Sequence, residues 1–97
     1  MPDPEFVQRR LREIKEALRY MEDLVSMDER DFIADYRSRY ALRHLILEIV
    51  EAAISLSLHI LSEDFGEKAE TYVDALSRMA EHGIITPRTA REIISLV

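Results

Sequence analysis

Ninety-seven residues (11.3 kDa) can form one hydrophobic core at most, because a chain this short buries only about two-thirds of its unfolded surface. Hydrophobic residues at 47% and charged residues at 33% exclude a disordered chain, two Gly and three Pro leave little material for a turn-rich sheet protein, and the absence of Cys excludes disulfides, thiolate zinc sites, iron–sulfur clusters and cysteine nucleophiles. Thirteen Lys and Arg against nineteen Asp and Glu give a net charge of −6, so nucleic acid is repelled at long range and could be held only on a locally basic surface.

In chain order, Met1-Pro-Asp-Pro-Glu5 has neither a basic n-region nor an apolar core, so no secretion signal is expected and a cytoplasmic location is. Val7, Leu11, Ile14, Leu18, Met21 and Val25 then recur at spacings of three and four and predict an amphipathic helix over 4–25, with Asp3 as its cap and Pro4 in its first turn. Ser26 and Glu29 have capping-box spacing and predict a short helical turn near 28–34 that carries Phe32 and Ile33.

The most apolar stretch follows, from Tyr36 to Ser62, without Gly or Pro. It predicts a helix about 39 Å long whose apolar residues go nearly all the way round beyond Leu45. Leu45–Leu61 is the only candidate membrane segment, but Glu48 and Glu51 inside it would each cost roughly 2–3 kcal/mol at mid-bilayer, so a buried helix of a soluble protein, with no membrane partner, is expected. An apolar surface of that width needs a central position or a second chain, and a homodimer through this helix is expected. Ser62–Gly66 reads as a loop. Thr71 and Asp74 predict the cap of a helix over 70–82, Gly83 its end, Thr86 and Pro87 the start of the next, and Ala90, Ile93, Ile94 and Val97 the stripe of a last helix over 87–97 that is cut short, leaving the C-terminal part of the single domain missing. The fold expected is an all-α, antiparallel four-helix up-and-down bundle, with Val7, Leu11, Ile14, Leu18, Leu45, Ile49, Ile54, Leu56, Leu76, Met79 and Ile93 in its core.

Raw material for catalysis is thin: three His, no Gly-rich phosphate loop, no nucleophile elbow and no Glu–x–x–His pair, and neither a metal nor a cofactor is expected. Glu48 and Glu51 share roughly one helix face and could titrate together or bind a metal, yet no His stands beside them at ligand spacing, and solvent or arginine partners are the stronger reading. Arg37, Arg39, Arg43 and His44 form the net-basic run of the chain. Arg39, Arg43 and His44 are its candidates for facing RNA or a partner, since a guanidinium and an imidazole in one cleft could bind a phosphodiester. Salt bridging to acidic surroundings is the competing reading, because Arg39 and His44 lie about 140° apart around a helix. His59 reads as a satisfied core or interface histidine, His82 as a cation near a helix C-terminus, and Arg9, Arg10 and Arg12 as a solvated face without aromatic stacking partners.

The succession Asp31-Phe32-Ile33-Ala34-Asp35, Tyr40-Ala41-Leu42-Arg43-His44-Leu45 and Glu51-Ala52-Ala53 resembles the HepT-like toxins of the HEPN superfamily. Thr71-Tyr72-Val73, Leu76 and Met79-Ala80-Glu81-His82-Gly83-Ile84-Ile85-Thr86 continue the resemblance in order and spacing, so that it spans roughly Pro4 to Val97. It implies a dimeric helical bundle that cleaves RNA without a metal and is neutralised by a minimal nucleotidyltransferase antitoxin. In the family an Arg, four residues, a His, one residue and a Tyr follow the segment matching Ile93–Val97, the Tyr being the target of nucleotide transfer. Arg39 and His44 repeat the first spacing on an earlier helix, with Ile46 where the Tyr would stand. The 97-residue chain by itself is therefore expected to fold, dimerise and leave RNA uncleaved. A non-catalytic helical partner subunit of a nucleotidyltransferase is the alternative.

Overall fold

The computed structural model describes residues 2–96. It contains five helices, α1 (Pro4–Val25), α2 (Glu29–Ala34), α3 (Tyr36–Phe65), α4 (Tyr72–Glu81) and α5 (Pro87–Ile94). No strand occurs among the described residues, and the chain is all-α, with α2 as the short turn ahead of the long helix.

Local chemistry sets most helix ends. Asp3 caps α1 by accepting from the Glu5 N–H at 3.0 Å, Thr71 caps α4 through the Asp74 N–H at 3.0 Å, and Thr86 caps α5 through the Thr89 N–H at 3.1 Å. Several boundaries differ from the sequence reading. Asp28, not Ser26, caps α2, accepting from the Arg30 N–H at 2.9 Å, while Ser26 closes α1 and donates its hydroxyl to the Asp23 carbonyl at 2.7 Å. The carboxylate stands next to the first helical residue, where its oxygen can reach the free amides, and Ser26 lies two residues too early. Ser62–Phe65 is helical rather than a loop: α3 continues until Gly66, whose φ of 63° ends it. The last helix stops at Ile94, with Ser95 as its cap, and Val97 lies outside the described residues.

α1 lies antiparallel along α3. At one end the Asp3 N–H donates to His59 Nε2 at 2.9 Å, and at the other the Ser38 hydroxyl meets Met27 Sδ at 3.6 Å. Leu61, Ala75 and Met79 form the tightest core cluster, joining α3 to α4. The Phe65 and His82 rings stack at 3.7 Å, so the ends of α3 and α4 lie together and α4 accompanies the second half of α3 rather than simply reversing from its end. α5 then returns, and Tyr72 and Leu96 line one groove with Leu47 and Val50.

Of the expected core, Leu45, Ile54, Leu76 and Met79 are buried and Val7, Ile14, Ile49, Leu56 and Ile93 half-buried, whereas Leu11 (41% exposed) and Leu18 (46%) face outward. The line of α1 against α3 passes through Val7, Ile14, Ala17, Met21 and Leu24, and Leu11, Leu18 and Val25 form a second line beside it that the described residues leave exposed. α4 and α5 leave the first turns of α3 uncovered, so the molecule is long, 48 × 26 × 19 Å, with a radius of gyration of 15.3 Å against about 13 Å for a compact domain of this length. By length and composition α3 could cross a membrane, with mean hydropathy 1.8 over its most apolar stretch; here α1 and α4 lie against it, and a third of that stretch is buried.

Candidate functional site

The basic run sits on the first turns of α3. Asp35 caps the helix through the Arg37 N–H at 3.0 Å and pairs with Arg37 Nε at 3.2 Å. These bonds, the side-chain one foremost, hold the Asp35 carboxyl below its ordinary range. Arg39 turns back and donates its guanidinium to the Ile33 carbonyl in the last turn of α2. Arg43 lies over the Tyr40 ring at 5.5 Å, and Tyr40 meets Tyr36 edge-on at 6.1 Å. His44 reaches forward, Nε2 to Glu48 Oε1 at 3.0 Å, with both side chains largely exposed.

Arg39 and His44 therefore do not share a cleft. One points to α2, and the other turns toward α1, lining an apolar groove of about 490 Å³ with Tyr20, Leu24, Met27 and Leu45. Arg43 opens on another side, into the groove of Leu47, Val50, Tyr72 and Leu96. Glu48 and Glu51 do come together, with Arg10, Glu13 and Glu16 of α1, around a cleft of about 500 Å³. Arg10 pairs with Glu13 there at 2.9 Å, and among the described residues no three His, Asp or Glu side chains are placed to hold a metal ion.

The other two histidines are held in place. His59 accepts the Asp3 N–H and packs on Phe6 with ring centroids 4.3 Å apart, so it ties the start of α1 to α3. His82 stacks on Phe65 and donates to Glu67 at 2.7 Å, while Arg78 reaches both Glu67 at 3.2 Å and Asp74 at 3.0 Å. The Glu67 carboxyl lies below its ordinary range chiefly because His82 hydrogen-bonds to it, and Asp74 is lowered first by the Glu70 N–H and then by Arg78. Reading the sequence found His82 at its helix end but missed this cluster, since Glu67 and His82 are 15 residues apart. Each imidazole is thus engaged by a carboxylate or a backbone amide, and none is paired with a guanidinium as acid–base chemistry on a phosphodiester requires.

The HepT-like ribonuclease family matches residues 14–97. A curated relative described as a tRNA nuclease HepT, from Aphanizomenon flos-aquae (strain 2012/KM1/D3), is 25% identical over 91 residues, covering 94% of this chain. The chain spans 62% of that relative's length. With a family match over most of its length and an all-helical fold built around one long apolar helix, the chain belongs to the HepT-like ribonuclease family.

Proposed function

We propose that this chain is helical framework of an RNA-cleaving toxin that works without a metal and is neutralised by a minimal nucleotidyltransferase antitoxin in the cytoplasm. The observation that carries the reading is the family match across residues 14–97, with a relative described as a tRNA nuclease. A homodimer through α3 belongs to the same proposal: Leu47 (52% exposed) and Leu58 (40%) lie open on that helix, and Leu11 and Leu18 on the neighbouring one. The acid–base work falls to the family's Arg–four residues–His–one residue–Tyr motif, which no segment of residues 1–97 reproduces in full.

The alternative, a non-catalytic partner subunit of a nucleotidyltransferase, draws on the histidines, all three of which already have a partner. Incubating labelled RNA in a chelator with the 97-residue chain, and with the same chain carrying the family motif after residue 97, separates the two. Cleavage is expected only from the motif-carrying chain. If neither form cleaves any RNA, the partner-subunit reading gains; if the 97-residue chain cleaves and His44→Ala abolishes it, the His44 neighbourhood is catalytic after all.

A further inference from the structure

The charges of α3 are sorted along its length. Tyr36–Leu47 holds Arg37, Arg39 and Arg43 and no carboxylate, while Glu48, Glu51, Glu63 and Asp64 occupy the remainder with no Lys or Arg among them. This order runs against the helix's own electrostatics, because the N-terminal end of a helix favours anions and the C-terminal end cations. Arg39 and Arg43 also repel each other at i,i+4. Arg37 answers to the capping Asp35 and Arg39 to the Ile33 carbonyl, but helix stability does not account for Arg43 there, in a chain whose net charge is −6.

What accompanies them is aromatic. Tyr36 (60% exposed), Tyr40 (58%) and Arg43 follow one another at i, i+4 and i+7 along one open stripe, the two rings at 6.1 Å and the Arg43 guanidinium over Tyr40 at 5.5 Å. Arg37 projects beside them with 78% of its side chain exposed, and Arg43 forms no ion pair with any described residue. The α4–α5 hairpin packs most tightly around Leu61 and reaches back to the groove that Arg43 lines with Leu47, Tyr72 and Leu96, so Arg43 stands at its edge and Tyr36 and Tyr40 remain exposed ahead of it. Exposed rings beside the unpaired Arg43 guanidinium, with the exposed Arg37 near them, are the chemistry of a single-strand platform: bases stack on the rings whatever their identity, and cations meet the phosphates.

We infer that Tyr36, Tyr40 and Arg43, flanked by Arg37, form a docking platform for single-stranded RNA on the first turns of α3. The inference rests on the RNA-cleaving reading and adds to it where the strand lies and which form is taken. Unpaired nucleotides dock, because a duplex keeps its base faces stacked inside and offers the rings nothing to cover. Within α3 carboxylates start at Glu48 and bound the strand on that side, while Asp31 and Asp35 bound it at the helix start, Asp35 being paired with Arg37.

Fluorescence anisotropy of the 97-residue chain with a labelled single-stranded oligouridine, and with a blunt RNA duplex of equal length, tests it. Saturable binding of the single strand at low salt is expected, with weaker binding of the duplex. Tyr40→Ala should weaken it by roughly 5- to 150-fold while Tyr40→Phe keeps it. Arg43→Ala should reduce the slope of log affinity against log salt by about 0.7. All three side chains are exposed, so unchanged circular dichroism melts confirm that folding is intact. No saturable binding, equal affinity of Tyr40→Ala, or a duplex bound as tightly as the single strand would overturn the platform. So would a Tyr36→Ala, Tyr40→Ala chain that changes sedimenting mass and keeps its RNA affinity, since that assigns the face to a protein contact. Binding is read without cleavage, so the platform can fail while the motif-carrying chain still cuts RNA, and it can stand where that chain does not.

Discussion

Glu67 shows how one side chain links the connection after α3 to the end of α4. Its carboxylate accepts from His82 and from Arg78, and both bonds lower its pKa in the folded chain. An unfolded chain has an ordinary Glu near 4.3 and so binds more protons than the folded one between the two values. The stabilisation is complete above that ordinary value and is lost as pH falls through the lowered one; Asp74 and Asp35, also lowered, act with the same sign. The melting temperature of the chain should therefore fall below pH about 4.5, and Glu67→Gln should melt lower at pH 7 with a shallower acid dependence. Identical profiles for the two proteins would show that the Glu67 bonds contribute nothing. Reading along the sequence placed His82 at a helix end because that depends on its immediate neighbours. It could not supply Phe65 or Glu67 as partners, since a contact across a loop leaves no local pattern. For the same reason Arg39 and His44 looked like a possible pair until their separate partners, Ile33 and Glu48, were placed.

At the scale of helices, capping chemistry is short-range, so Asp3, Thr71, Thr86 and Gly83 were readable in the residues themselves. Ser26 misled because a serine and an aspartate two residues apart both suit a cap, and the one adjoining the helix prevails. The end of α4 shows how complete such a signal can be. The Gly83 N–H donates to the Ala80 carbonyl and the Ile84 N–H to the Met79 carbonyl, both at 3.0 Å, while Gly83 itself takes φ 73°. This is the Schellman closure, in which a left-handed residue lets two amides reach back to the last turn. A Cβ on Gly83 would meet nothing within 4 Å, so the cost of Gly83→Ala is the backbone alone, about 1–2 kcal/mol. Urea unfolding should give that loss with an unchanged m-value, and equal stability would mean that the turn relaxes into another conformation. The polar run Ser62–Phe65 went unread as helix because its composition suits a loop. Gly66 ends α3 there, where the Gly66 N–H reaches the Ser62 carbonyl at 3.1 Å and the Glu67 N–H the Leu61 carbonyl at 3.0 Å.

For the whole molecule, periodicity tells which helix faces are apolar and not how many neighbours come to cover them. Leu11 and Leu18 belong to a regular stripe and yet remain open, because α1 has α3 on one side and no second layer on the other. The same shortage appears in the length of the molecule and in Leu47 and Leu58 on α3. A chain of this size leaves such side chains in water only at a cost of about 25 cal/mol per Å² of apolar surface, which a second copy would recover. We propose α3 as a wall shared by two chains, with Leu47 and Leu58 at the shared face and the basic and aromatic residues ahead of them. Sedimentation equilibrium of the purified 97-residue chain at high micromolar concentration tests that claim most directly. A mass about twice 11.3 kDa that falls to the monomer on Leu47→Glu with helicity retained is expected, and a single stable species of 11.3 kDa for the unaltered chain would rule the shared face out.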